Sequence, residues 1–535
     1  MAQPTLPSPS QRLPFAAVFL ATVGWLVFSA VAPPLPGGTD IFFFKDAGAN
    51  LAVGHGFTSR LTYGNPTFDR VLYAHYPPGY ALLFGVYSEL VGVGLKQNAI
   101  FNMGIAALAH VLGCAALAVR ATFKLTRGLT ILVCVTLPLG FSGGAYDRPD
   151  TLGLALGLAA LVLLGQKVTP LHFFFAAILC GTAAVVSPIG GLLCVLAIAL
   201  LWASDCILPG HDRDWPSFPI LVGLAVVGFL IAPLLAVYLL MQLEPTAISR
   251  FLGVLTGAGT ELQTGGGYFL ALLHGDWRTW SGALRAYADL PALVALAKLV
   301  LVLGSVIAFF GLAAMRSRNW LLLIPCGGFV MFAAIPITIS PYQTNYVLIV
   351  AGLLLALFSI ASSRLEGNCA TGRSVALAVA FIGMTICSAP DFARNLVMNA
   401  HLAPSLARMR ATVAALAQVE GRERLVAVSP QGYMLFKEAG FDVVNLWPGL
   451  DHVDNRARVP LVALGFIGSG DPLRPQYPPW WKEGDYELLY WPQLPQRATI
   501  FGHGISNSSF TWEHAVYRRR DMRHNPSKAP PVLKP

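Results

Sequence analysis

The sequence predicts a polytopic α-helical membrane protein with a small α/β domain outside the bilayer, and three observations lead there. Only 12% of the 535 residues are charged while 55% are hydrophobic, and mean hydropathy is +0.61; ordinary soluble domains carry about 25% charged residues. Apolar runs of the length a span needs, about 20 residues, recur up to residue 389. After Pro390 the hydropathy falls and short alternating runs take over. The net charge of +9 does not call for nucleic acid, because Lys and Arg gather in short loops between apolar runs, where they set orientation. The basic stretch YRRRDMRHNPSK, residues 517–528, reads as a terminus touching anionic headgroups. Cys114, Cys134, Cys180, Cys194, Cys206, Cys326, Cys369 and Cys387 lie in or beside apolar runs without metal-like spacing. They read as small core residues and exclude a disulfide framework.

About eleven spans are expected, over residues 14–32, 98–119, 128–145, 151–166, 169–187, 189–204, 218–243, 291–315, 320–340, 345–362 and 374–389. The first is followed by Pro33-Pro34 and no small-x-small cleavage site, so it is kept as a helix. The run 78–95 (PGYALLFGVYSELVGVGL) is short, carries Glu89 and is weakened by glycines. Were it a twelfth span, the loop 120–127 (RATFKLTR) would fall outside, against the positive-inside tendency. Lying flat at the interface instead, it leaves RATFKLTR, Arg316, Arg318, Arg364 and Arg373 inside. The N-terminus is then cytoplasmic.

This topology puts three segments on the outer face. Residues 33–97 would hold two interfacial helices, the first a run from Ile41 to Val53 that carries Asp46. Residues 145–150 (AYDRPD) make a tight turn, and 244–290 form a long loop with two glycine clusters and the polar run HGDWRTW. A transmembrane domain over 1–390 is therefore followed by an extracytoplasmic domain over 391–535, about 145 residues and an ordinary domain size. Within it 390–420 reads as helix, RLVAVS (424–429) as a strand, QGYMLFKEAG as a helix ending at Gly440, and FDVVNL as a strand. VPLVALGFIG and YELLYW continue the alternation. No internal repeat of the kind seen in inverted-repeat transporters is present.

Carboxylates and cations near lipid are expensive and usually functional. Asp40 stands at the mouth of the first apolar run; it is also well suited to cap the helix that follows. Asp46 is six residues on, about 240° round a helix, so the two acids do not share a face. Asp147 and Asp150 flank Arg148-Pro149, where Pro149 suits the first turn of a helix and the acids suit its dipole. Lys298 lies inside a span, placed to snorkel or to meet a phosphate. Arg250 and Arg278 are weaker phosphate-binding residues in the 244–290 loop. His75 and Tyr76 precede Pro77-Pro78, which hold the chain extended, and Tyr342, Gln343 and Tyr346 lie in or beside the short outer loop SPYQTNY.

Asp40 within TDIFFFKDAGANLAVGHGF just after the first span, YPPGY at 76–80, and YDRPD at 146–150 leading into TLGLALGLAALVLL occur in an order that resembles the GT-C superfamily of integral-membrane glycosyltransferases. Within it the sequence is similar to the bacterial relatives of the protein O-mannosyltransferases and to the aminoarabinose transferases. The likeness covers roughly residues 15–390. The resemblance implies transfer of a hexosyl or pentosyl group from a polyprenyl-phosphate donor to an extracytoplasmic glycan, lipid or protein, in a bacterial inner membrane. It makes Asp40 the general base and Asp150 a second carboxylate, with Asp46, His75, Tyr76, Asp147, Arg148, Arg250, Lys298, Tyr342 and Tyr346 as substrate-binding residues. Ile41 stands where several members carry a second acid. A divalent cation between Asp40 and Asp150 is compatible with these residues, and no spacing demands one. HExxH, CxxC and P-loop motifs are absent. Two other classes compete: a transporter or flippase for lipid-linked sugars, and a non-catalytic membrane scaffold.

Overall fold

The computed structural model describes residues 40–60, 71–73, 77–118, 148–166, 168–208, 217–243, 290–339, 344–363, 365, 370–420, 424–446, 459–467, 474–475, 477, 481–492, 499–500, 503–504 and 512–522. The chain divides into two compact units. The first takes residues 1–28, 103–145 and 149–392, and the second takes 29–102, 146–148 and 393–535.

The helices of the first unit are the C-terminal part of α3 (Leu95–Ala118), α4 (Asp150–Gln166), α5 (Pro170–Val186), α6 (Pro188–Ile207), α7 (Phe218–Leu243), α8 (Leu290–Ser317), α9 (Leu323–Ile339), α10 (Thr344–Ser362) and the N-terminal part of α11 (Ala370–Glu420). Among the described residues, 188–207, 218–242 and 293–317 are each long and apolar enough to cross a membrane. Their ends follow ordinary capping chemistry. Thr169 Oγ1 accepts the His172 backbone N–H at 3.2 Å, Ser187 Oγ accepts that of Gly190 at 3.2 Å, and a proline follows each cap.

Leu158, Leu161, Val302, Phe310, Phe329, Val350, Leu354 and Phe358 form the centre of this unit's core. On α7, Phe218, Val226, Val227, Leu234 and Leu235 stay exposed, as a lipid-facing helix requires. Lipid gives apolar side chains no reason to leave it, so helices there associate by close backbone approach over small residues. At Gly181 of α5, an added Cβ would lie 2.1 Å from the Phe229 carbonyl oxygen of α7. At Gly228 it would lie 2.8 Å from the Phe174 carbonyl oxygen of α5. Each helix thus offers a glycine to the other's backbone.

The second unit joins two stretches far apart in sequence. Its first stretch holds α1 (Asp40–Ala52), β1 (Thr58–Ser59) paired with β2 (Val71–Leu72), α2 (Gly79–Val91) and the start of α3. A helix of 13 residues rises only about 20 Å, short of the roughly 30 Å hydrocarbon core, so α2 is too short for a straight crossing. Tyr80, Ala81, Phe84, Gly85 and Ser88 are its buried face, while Leu83, Val86 and Leu90 are exposed. A Cβ on Gly48 of α1 would fall 2.2 Å from the Ala81 carbonyl oxygen, which fixes where α1 and α2 touch.

The other stretch runs from the C-terminal half of α11 into a mixed sheet. Parallel β4 (Asp442–Asn445), β3 (Leu425–Val428) and β5 (Leu461–Ile467) are extended by antiparallel β10 (His514–Arg519) and β7 (Tyr486–Tyr490), in the spatial order β4-β3-β5-β10-β7. β6 (Arg474–Pro475) pairs with β5, and β8 (Thr499–Ile500) with β9 (His503–Gly504). A 3-10 turn at Pro430–Gly432 and the short α12 (Tyr433–Glu438) connect β3 to β4. Gly440, at φ 92°, closes α12 in the left-handed region that glycine enters without strain. Ala427, Val444, Val462, Leu464 and Ala515 make the sheet's core. The sequence boundary at 390/391 falls within α11, whose residues 370–420 are one uninterrupted helix.

Candidate functional site

Several charged side chains of the second unit are buried, among them Lys45 and Asp46 of α1 together with Lys437 and Asp442. Successive helical residues point about 100° apart, so Lys45 and Asp46 serve two different faces. Lys45 is fully buried. Its Nζ donates to Asn98 Oδ1 at 2.6 Å and Asn102 Oδ1 at 2.5 Å, both on α3. The rings of Tyr80, Phe84 and Phe101 stand 5.7, 5.1 and 5.3 Å from the same ammonium. Two amide acceptors and three π faces offset the cost of burying an ammonium there.

Asp46 faces the C-terminal stretch. Its Oδ1 accepts the Tyr433 hydroxyl of α12 at 2.6 Å; its Oδ2 accepts Ser59 Oγ at 2.7 Å and Asn50 Nδ2 at 3.2 Å. Asn50 is one turn along α1, the spacing that stacks side chains. It also donates to the Thr58 carbonyl at 2.7 Å and accepts from Lys437 Nζ at 2.5 Å. Burial pushes the Asp46 carboxyl above its ordinary range, while Lys437 and the hydroxyl donors pull it part of the way back. Burial, with Asp46 beside it, drives the Tyr433 phenol well upward, which keeps it a donor. At the edge of this cluster Arg60 grips Asp442 through Nε and Nη2, both at 2.8 Å. Farther along, the Leu95 backbone N–H donates to Glu438 at 3.3 Å.

The residues singled out from the sequence are distributed as follows. Asp40 is the first residue of α1, and its side chain lies outside the described residues. Asp46 is the buried acid just described. Arg148 places its guanidinium carbon 5.5 Å from the Phe44 ring of α1, and both belong to the second unit. Asp150 opens α4 in the other unit and accepts Ser187 Oγ at 3.1 Å. Lys298 on α8 and Tyr346 on α10 are buried. His75, Tyr76, Asp147, Arg250, Arg278, Tyr342 and Gln343 lie outside the described residues. Among the described residues no three His, Cys, Asp or Glu come together as a metal-binding group.

Sequence reasoning passed over Lys45, Asn50, Ser59, Asn98, Asn102, Tyr433 and Lys437. Two signals were present. A lysine inside the aromatic run FFFKD, in a chain this apolar, marks a cation that needs specific partners. Tyr433 and Lys437 are spaced i, i+4, so they share one face of a short helix.

No protein-family model matches the sequence and no curated relative does. Similar solved structures include ArnT from Cupriavidus metallidurans bound to undecaprenyl phosphate, 15% identical, with 94% of this chain and 97% of that chain covered and a TM-score of 0.48. An Archaeoglobus fulgidus oligosaccharyltransferase tethered with an acceptor peptide is 12% identical, covering 84% of this chain and 68% of its own, with TM-score 0.40. The arabinofuranosyltransferase AftD from Mycobacteria is 11% identical, covering 96% of this chain and 40% of its own, with TM-score 0.41.

Proposed function

We propose that the protein is a membrane glycosyltransferase that moves a sugar from a polyprenyl-phosphate donor to an acceptor on the extracytoplasmic face, with Asp40 as general base. The donor carrier is of the lipid class bound in the ArnT structure. The observation that carries the reading is the place of Asp40. It follows the first apolar run and begins a helix that a buried cation and a buried acid hold on two faces. A general base has to stand within reach of the proton it takes, and the start of a helix held on two faces is a fixed place for one.

In the reaction the Asp40 carboxylate removes the proton of the acceptor nucleophile as it attacks the anomeric carbon. The sugar–phosphate bond breaks and the polyprenyl phosphate leaves with the electron pair. Cationic groups stabilise the charge that gathers on the leaving phosphate; Arg148, beside α1, and Lys298 are our choices for that role. Asp150 is the second carboxylate.

The test is transfer of labelled sugar from polyprenyl phosphate in proteoliposomes. Asp40→Asn keeps the shape of the side chain and should cost on the order of 10²–10⁴ in rate without loss of folded protein. Wild-type transfer by that variant would remove Asp40 from the chemistry. Lys298 and His110, each buried within an apolar helix, are the observations that favour a transporter or flippase. Movement of the lipid-linked sugar across the same vesicles with no transfer would establish that reading instead.

A further inference from the structure

The chemistry proposed at Asp40 needs α1 to be held in place, and residues 387 positions away in sequence hold it. Asp46 and Asn50 are six and ten residues from Asp40. The first interval corresponds to about 9 Å of helix, so a small roll of α1 about its anchors displaces its first turn. The anchors on the C-terminal side are two groups of α12: the Tyr433 hydroxyl on Asp46 and the Lys437 ammonium on Asn50. Tyr433 is fully buried and Lys437 nearly so, so water does not compete for these bonds. Ser59, from α1's own stretch, provides a third donor to the same carboxylate.

On the reading of Asp40 as base, we propose that Tyr433 and Lys437 are positioning residues for the transfer reaction. They fix the roll of α1 and make the C-terminal stretch part of the catalytic apparatus. The arrangement is a two-point clamp on one face of the helix, opposed on another face by the Lys45 contacts with Asn98 and Asn102. Positioning of this kind is felt in turnover, because a displacement of about 1 Å can cost on the order of 100-fold in rate while binding elsewhere persists.

The clamp also couples turnover to the ionisation of Asp46. The groups facing it are Tyr433 and Lys437 from α12, Ser59 from β1, Asn50 on its own helix, and Asp442 of β4 with its partner Arg60. Removing the phenol hydroxyl or the Lys437 charge withdraws support for the ionised carboxylate, so its proton affinity rises.

The test uses the full-length protein in proteoliposomes, with Tyr433→Phe, Lys437→Gln and Asp40→Asn assayed side by side. Tyr433→Phe keeps the ring and its packing and loses one hydroxyl; Lys437→Gln keeps a donor and loses the charge. Each should lower kcat by about tenfold or more, leave the KM for the lipid donor within about twofold, and move the acidic limb of the kcat profile to higher pH. Both proteins should elute and melt as the wild type does. Wild-type kcat and pH profile in both variants, beside an inactive Asp40→Asn, would overturn the positioning role alone. A loss that merely follows the folded fraction, with the acidic limb unmoved, would do the same. Full activity in Asp40→Asn would remove the base itself, and the positioning role with it.

Discussion

The two units solve one problem, holding helices together, with different materials. In the first, α5 and α7 meet backbone to backbone over Gly181 and Gly228, and the core is Leu, Val, Phe and Ala. In the second, α1 also meets α2 over a glycine, Gly48, and buries Ile41 and Phe44, yet it adds hydrogen bonds through a lysine, an aspartate and three asparagines. The difference teaches where specificity is needed. Apolar helices of similar composition can slide or roll past one another at small cost. A buried charge with named partners permits one register, because every other register leaves it unsatisfied. A helix that must present one residue in one place has reason to be fixed in the second way.

The strongest way to break this comparison is to turn the polar contact into an apolar one. Asn98→Leu combined with Asn102→Leu strips two acceptors from the buried Lys45 ammonium and should cost about 3–5 kcal/mol, read as loss of folded protein in a thermal melt. Adding Lys45→Met should restore most of that stability, since a well-packed apolar set often equals a buried polar one. The triple variant should nonetheless transfer sugar poorly, because α1 would then be free to roll. A triple variant with wild-type turnover would show that the polar contacts contribute stability and nothing more.

The glycine contact sharpens the other half. Gly181→Ala drives a methyl group to 2.1 Å from a backbone oxygen, which no side-chain rotation relieves, so α5 and α7 must separate. A cost of about 1–3 kcal/mol is expected. Gly223→Ala, on α7 with nothing within 4 Å, should be neutral or slightly stabilising through helix propensity. Equal effects at the two positions would refute close approach as the basis of packing in this unit.

The same contrast explains what could be read from the sequence. The apolar runs 169–187, 189–204 and 218–243 correspond to α5, α6 and α7 within a few residues, because burial in lipid is written in composition. The segments FDVVNL and VPLVALGFIG, read as strands, contain β4 and β5. The Tyr433–Asp46 bond was not legible: nothing local pairs a tyrosine in a short helix of the C-terminal stretch with an acid near the N-terminus. What a chain writes locally is which face is apolar; which distant donor meets a buried acid depends on how the units fold. The role of Asp40 rests on motif order, and Asp46 gains its partners only in three dimensions.

A smaller effect tests whether the interior of the second unit is polar by design throughout. His514 is fully buried; its Nδ1 is 2.9 Å from the Trp512 carbonyl oxygen, and its ring meets Phe436 edge-on. The carbonyl can only accept, so Nδ1 carries the proton of a neutral imidazole. Burial lowers its pKa from 6.5 to about 4. A depressed pKa means that the unfolded chain binds the proton more readily. The stabilisation is therefore present above pH 6.5 and is lost as the pH falls through about 4. From neutral pH down to about pH 5 the loss should be on the order of 2 kcal/mol. The raised Asp46 carboxyl works in the opposite sense: it favours the folded state below 3.8, and that contribution disappears as the pH rises through its folded value. Comparing wild type with His514→Gln isolates the histidine, because Asp46 is common to both. The wild-type melting temperature should fall more steeply with acid than the variant's. Parallel curves would mean that the imidazole is solvated rather than enclosed, and the contrast between a dry polar interior and a dry apolar one would lose its second example.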